Sequence, residues 1–305
     1  MSQRRVLVTG GSGFLGRAVT TALRRRGAVA FPIGRSSVDL TDERQAMRFL
    51  DKVVNEIEIV VHCAALCGGI GANMRTPLAM AITNVRMAAN IVEWCSWHGK
   101  PLVAVGTVCS YPKLCAVPFR ERDLWSGYPE ETNAPYGNAK RMLLEMITAA
   151  KRQKNWPTRF LLPANLYGPG DDFGDESSHV IPALIKRFSA VGEGSVTCWG
   201  SGAATREFLY VDDAAEAIAI AAETVYYDAP PVMNLGSGEE VSIRDLAAKI
   251  AALCGFSGTT SWDRSKPDGQ PRRLLDSSLA HAALGWRAKT SLDEGLTRTI
   301  AWWRS

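Results

Sequence analysis

The strongest constraint on this chain is a glycine triplet, Gly10, Gly13 and Gly16, set between a short β-branched run at residues 5–9 and a helical stretch at residues 17–26. Strand, tight turn and helix in that order make a phosphate cradle. Glycines let the backbone approach a pyrophosphate, and the positive end of the helix faces it. The segment Gly10 to Gly16, with Phe14 and Leu15 between its last two glycines, is therefore predicted to hold a dinucleotide. The other reading is a glycine-rich turn with no ligand.

Periodicity extends the pattern. Strands are predicted at 29–33, 57–65, 102–107 and 159–162, and helices at 42–54, 78–97 and 136–152. Continuous apolar runs alternating with helices mean an α/β fold built on a doubly wound parallel sheet, with a smaller C-terminal α/β part. The division expected is a dinucleotide-binding unit over 1–165, to which 207–236 returns, and a substrate unit over 166–206 and 237–305. Ser242-x-x-Asp245 and Ser291-x-x-Glu294 read as helix starts, and Trp302-Trp303 as packing for the last helix. At 305 residues, with 46% hydrophobic and 22% charged, the composition is globular. A net charge of +4, with no basic run longer than Arg24-Arg25-Arg26, argues against a nucleic-acid partner and for a small anion. No apolar run is long enough for a membrane span, and the seven cysteines form no Cys-x-x-Cys pair. Reduced thiols, no metal and a cytoplasmic location are the expectation.

The second strand ends in Gly34-Arg35-Ser36-Ser37. A basic residue there neutralises the extra phosphate of NADP, where an acidic one would accept the ribose hydroxyls of NAD. Arg35 favours NADP(H), with NAD as the alternative, and could also be a solvated loop residue. Asp39 and Leu40 are placed at the adenine edge, the other role for Asp39 being to open a helix. Tyr136-x-x-x-Lys140 puts a phenol and an ammonium one turn apart on a helix face, an arrangement expected to lower the phenol's pKa for proton exchange with a carbonyl. Thr107, at a strand end, could hold the same oxygen.

Together these residues resemble the extended short-chain dehydrogenase/reductase superfamily. Further strings sharpen the likeness: Gly68-Gly69-Ile70-x-Ala72-Asn73, Asn165-Leu166-Tyr167-Gly168-Pro169, Ser178-His179-Val180-Ile181-Pro182, Arg206-Glu207-Phe208 and Lys266-Pro267-Asp268-Gly269 are similar to the GDP-L-fucose synthase family. That family epimerises C3 and C5 of GDP-4-keto-6-deoxy-D-mannose and reduces C4 with NADPH. The resemblance implies Cys109 as the base and His179 as the acid, with Thr107, Tyr136 and Lys140 handling the ketone. On their own, Cys109 also reads as a small buried residue and His179 as a helix-opening one. By resemblance, Arg187 and Arg206 bind the diphosphate, Asn165 positions the sugar nucleotide, Trp199 lines the base pocket and Lys266 closes over substrate; a homodimer is implied too. The chain departs from the family at Thr107, Val108, Ser110 and Gly170 to Phe173, which leaves room for a related 4-keto sugar or a heptose. A nucleotide-sugar 4-epimerase with tightly held NAD(P) is the alternative enzyme. A non-catalytic redox sensor or scaffold is the alternative outside enzymes, and the presence of Tyr136 and Lys140 argues against it.

Overall fold

The computed structural model describes residues 3–175, 177–226 and 231–305. In chain order the elements are β1 (Arg5–Thr9), α1 (Phe14–Arg25), β2 (Val29–Ile33), α2 (Glu43–Val53), β3 (Ile59–His62), α3 (Ile70–Arg75), α4 (Pro77–Trp97), β4 (Leu102–Val105), α5 (Ala134–Gln153), β5 (Thr158–Pro163), β6 (Asn165–Tyr167) and α6 (Val180–Ala190). They continue with β7 (Ser195–Trp199), β8 (Thr205–Tyr210), α7 (Val211–Glu223), β9 (Val232–Leu235), β10 (Glu240–Ser242), α8 (Ile243–Cys254), β11 (Thr259–Asp263), α9 (Ser278–Leu284) and α10 (Leu292–Arg304).

Six strands form one parallel sheet in the order β2-β1-β3-β4-β5-β9. The chain steps to one side of β1 and then to the other, so the order reverses between β1 and β3. Outside the carboxyl ends of strands at such a point lies the crevice in which doubly wound folds bind ligands. The central strands are buried because helices cover both faces: every residue of β3 and β4 is buried.

The remaining strands build the smaller part. β8 pairs antiparallel with β10 and parallel with β6, while β7 and β11 form a parallel pair. Ile181, Leu184, Ile185 and Phe188 of α6 share a second core with Leu246 and Ile250 of α8. Two serines cap as the sequence predicts: Ser242 Oγ accepts the Asp245 N–H and Ser291 Oγ accepts that of Glu294. The Trp303 ring stacks on Phe173, centroids 4.2 Å apart, and so ties the loop before α6 to the last helix.

Several bounds differ from the periodic reading for local reasons. α1 begins at Phe14, three residues earlier than predicted, because the glycine loop itself supplies the first turn. β3 ends at His62, since Cys63 and Ala64 turn alongside Gly10. β4 ends at Val105, and Gly106 passes under the Phe160 ring before Thr107 opens a single 3-10 turn at Val108–Ser110. Of the stretch 207–236, α7 packs on α1 and β9 completes the large sheet, whereas Glu207 to Tyr210 lie in the three-stranded sheet. Residues 227–230 of that stretch lie outside the described residues.

Candidate active site

The glycine loop sits at the reversal point. Gly10 has φ +67°, and a side chain there would meet the Ala64 Cα at 2.8 Å. A Cβ on Gly16 would collide with the Gly10 carbonyl, which keeps the helix start against the loop. Gly13 caps α1 without a side-chain hydrogen bond, and no acidic residue occupies the first turn. The helix end is thus open to an anion, and this bare cradle fits a dinucleotide pyrophosphate. Arg17 fixes it to the neighbouring loop: its guanidinium donates to the carbonyls of Ser12 (2.6 Å) and Gly170 (2.9 Å).

Arg35, Ser36 and Ser37 are exposed beyond β2. Asp39 accepts the Thr41 hydroxyl and N–H at 2.7 and 2.9 Å, bonds that hold its carboxyl below the usual range. Leu40 is buried, and its carbonyl accepts from Asn90 Nδ2 at 2.8 Å.

α5 carries the Tyr136–Lys140 pair and clamps the 108–110 turn: Ser110 Oγ donates to the Gly137 carbonyl at 3.1 Å, and Arg141 Nε donates to the Ser110 carbonyl at 2.7 Å. Gly137 has no room for a side chain because the Cys109 carbonyl stands there. Lys140 is 3% exposed, and Nζ donates to the Val105 carbonyl at 2.9 Å. Burial pushes its ammonium down to about 8. The expectation for Tyr136 is corrected: the phenol is pushed well above its ordinary value, by burial first and then by the nearby Cys67 and Cys109. The phenol therefore stays protonated, which is the form that donates to a ketone oxygen. Thr107 Oγ1 accepts the Cys109 N–H at 3.2 Å, leaving the hydroxyl proton for another acceptor.

Sequence reasoning missed two residues at Cys109. Arg273 Nη1 lies 3.4 Å from Sγ, and Arg273 Nε donates to Gln270 Oε1 at 2.9 Å. Gln270 Nε2 in turn donates to the Pro112 carbonyl at 2.8 Å. The only signal in the sequence was the proximity of both residues to the Lys266-Pro267-Asp268-Gly269 string.

His179 is the N-cap of α6, with its ring half exposed and Nδ1 4.0 Å from Asp171 Oδ1. The 68–73 string meets this wall, where Gly69 N donates to the Ser177 carbonyl at 3.0 Å. Beside His179 opens a cavity of about 380 Å3 lined by Ser178, Lys186, Arg187, Ser195 and Thr197. Arg187 Nη1 donates to the Thr197 carbonyl at 3.3 Å. Arg206 is not on that wall. Its buried guanidinium donates to the carbonyls of Thr205, Asp268 and Gln270, and burial pushes its pKa down to about 9. Asn165 Nδ2 donates to the Glu207 carbonyl at 2.8 Å. Trp199 is 45% exposed, with the Lys266 ammonium 5.4 Å from its ring centroid. The structure therefore gathers Thr107, Cys109, Tyr136 and Lys140 into one cluster, sets His179 and Arg187 on α6, and gives Arg206 to the 268–270 loop.

Comparison with known proteins identifies the family. Residues 6–236 match the model of the NAD-dependent epimerase/dehydratase family. Over 314 residues the chain is 38% identical to the GDP-L-fucose synthase of Escherichia coli strain K12, covering 99% of this chain and 97% of that one. It is 36% identical to GDP-L-fucose synthase 1 of Arabidopsis thaliana, covering 98% and 93% respectively. Among solved structures, a GDP-L-fucose synthetase from Naegleria fowleri bound to NADP superimposes with a TM-score of 0.87 at 27% identity, covering 100% of this chain and 94% of that one.

Proposed function

The chain belongs to the NAD-dependent epimerase/dehydratase family, and within it to the GDP-L-fucose synthases; from that premise we propose that it is an NADPH-dependent epimerase-reductase acting on a GDP-4-keto-6-deoxy-hexose. The observation that supports the reading is the cluster of a ketone-handling set (Thr107, Tyr136, Lys140) with a further proton-transfer group, Cys109, in a chain whose α6 opens with His179, the second such group. A reductase alone needs only the first set.

NADPH supplies the hydride for C4 when it is bound on the glycine loop. The N–H groups of Phe14 and Leu15 at the start of α1 would hold its pyrophosphate, and Arg35 would meet the extra phosphate. The Tyr136 phenol and the Thr107 hydroxyl donate to the C4 oxygen, which makes the hydrogens on the neighbouring carbons acidic by stabilising the enolate. Cys109 takes a proton from one face of the sugar, leaving the electron pair in the enolate, with the Arg273 guanidinium beside its sulfur. His179 returns a proton to the other face. After inversion, the phenol gives its proton to the C4 oxygen as C4 is reduced, and Lys140 keeps a positive charge behind the phenol. Arg187 and the cavity beside α6 receive the diphosphate, Asn165 positions the sugar nucleotide, Trp199 and Lys266 close over the base, and Arg206 shapes the loop that carries Lys266.

In this reading 1–165 with 207–236 is the cofactor unit, and 166–206 with 237–305 the sugar-nucleotide unit. The protein works as a cytoplasmic homodimer, joined through α4 and α5, whose outer faces expose Leu78, Ile82 and Met142. Among the described residues no helix is long and apolar enough to cross a membrane.

The test is NADPH oxidation with GDP-4-keto-6-deoxymannose, with the product sugar identified by NMR. The wild type should form a sugar inverted at C3 and C5, and a Cys109→Ala/His179→Asn double variant should not. NADPH oxidation unaffected in the double variant would leave a C4 reductase, and sugar turnover without net NADPH loss would favour a 4-epimerase; neither needs Cys109 or His179.

A further inference from the structure

We infer that Asp171 is a positioning residue for His179: its carboxylate takes the Nδ1–H of the imidazole, so that the proton turned toward the sugar is the one on Nε2. The inference deepens the epimerase-reductase reading and rests on it for the role of His179 as proton donor.

Asp171 is a buried carboxylate with an open valence. Its side chain is 3% exposed, and Oδ1 accepts the Asp172 N–H at 2.8 Å. Oδ2 is enclosed and has no hydrogen-bond partner. Buried carboxylate oxygens are rarely left without a donor, so this oxygen calls for one. The cations around it are committed elsewhere. Arg17 donates to the Ser12 and Gly170 carbonyls, and Lys186 donates to the Phe173 carbonyl and to Asp175. Asp172 is itself an acceptor, bonded to Gly174 N at 2.8 Å. The nearest side-chain donor is the imidazole of His179, whose Nδ1 stands 4.0 Å from the companion oxygen Oδ1; a small turn of the ring and of the carboxylate about its Cβ–Cγ bond closes the hydrogen bond.

The two partners differ in how they are held. Asp171 sits between two anchors, Arg17 on the Gly170 carbonyl and the stack of Phe173 on Trp303. The His179 ring is 46% exposed and can rotate. A fixed carboxylate beside a rotatable imidazole selects both its orientation and its tautomer, and such contacts tighten when substrate binds. Once the Nε2 proton has been given up, the neutral ring is left with Nδ1–H on Asp171, ready to be reprotonated at Nε2.

Two measurements test this. The chain has four histidines, so a nitrogen-15 NMR spectrum of labelled cofactor-free protein at pH 8 is simple, and His179→Asn identifies the resonances of His179. The wild type should show the Nδ1–H tautomer and Asp171→Asn the Nε2–H tautomer, because a neutral amide is a much weaker acceptor for the Nδ1–H than a carboxylate. In deuterated water with the GDP-4-keto sugar, Asp171→Asn should still exchange substrate hydrogens through Cys109 while the rate of inversion falls about tenfold or more. Loss of loop structure alone would depress both together. A wild-type Nε2–H tautomer overturns the inference even if the variant does not fold, and so does an Asp171→Asn protein with an unchanged tautomer and an unchanged ratio of inversion to exchange. If the wild type neither exchanges nor inverts the sugar, the functional reading fails, and the tautomer still decides whether Asp171 orients His179.

Discussion

Replacing Lys140 with Met probes the most buried charge of the site. The Lys140 ammonium is 3% exposed and bonded to a single carbonyl, and burial takes its pKa from 10.5 to about 8. At 1.36 kcal/mol per pH unit, the charged form is about 3 kcal/mol worse accommodated in the folded chain than in the unfolded one. The sign follows from proton counting. Between pH 8 and 10.5 the unfolded chain holds a proton on this lysine that the folded chain has released, so wild-type stability gains a contribution that rises with pH. Lys140→Met lacks it. Its stability relative to wild type is therefore best at pH 7 to 8 and worsens by about 3 kcal/mol as pH climbs to 10.5. The Cys63 and Cys67 thiols, raised by burial from 9.0, also add a pH dependence in this window, but both proteins carry them, so their own contribution cancels in the difference between wild type and variant. Urea unfolding of both cofactor-free proteins at pH 7, 8, 9 and 10 reads the difference directly. NADPH oxidation by the variant should fall by roughly 100-fold or more, as for loss of a group that supports general acid catalysis. A stability gap that does not change with pH would refute the assignment of a desolvated ammonium at Lys140.

Other perturbations follow from the same structure. Glu207 is 1% exposed, and although its carboxylate accepts N–H groups from Gly238 and Leu275, burial raises its pKa from 4.5 to about 7. Its contribution to stability is full below pH 4.5 and is lost as pH rises through 7, so urea unfolding should show the gap between wild type and Glu207→Gln changing by about 3 kcal/mol over that range, in favour of wild type at the acid end. Gly16→Ala drives a methyl group into the Gly10 carbonyl and should weaken NADP binding about tenfold or more by calorimetry. Arg35→Ser should raise the NADP dissociation constant about tenfold, the loss of one charge-assisted hydrogen bond, and leave NAD binding unchanged; equal effects on both dinucleotides would remove Arg35 from the phosphate site.

The large sheet was legible because its signals are local. Apolar runs bounded by turns mark β1 to β5, and the glycine triplet marks the crevice, since each depends on neighbours in sequence. The capping serines 242 and 291 are equally local. What could not be read depends on contacts distant in the chain. Arg273 reaches Cys109 across 164 residues of sequence, and Arg206 is drawn to the carbonyls of 268–270 although its charge suggested an anion. The Tyr136 phenol illustrates the same limit. Spacing on a helix places an ammonium one turn away, but the burial that raises the phenol, and the approach of Cys67 and Cys109, come only with the fold. Asp171 carried no distinct signal within an acidic loop, and its importance lies in an oxygen left without a partner.

Incubating the enzyme with GDP-4-keto-6-deoxymannose and NADPH in deuterated water tests the central claim most directly. Deuterium at both C3 and C5 of a reduced product, with stoichiometric NADPH loss, is the predicted result. Reduction without deuterium at either carbon would contradict it, because Cys109 and His179 would then have no proton to move.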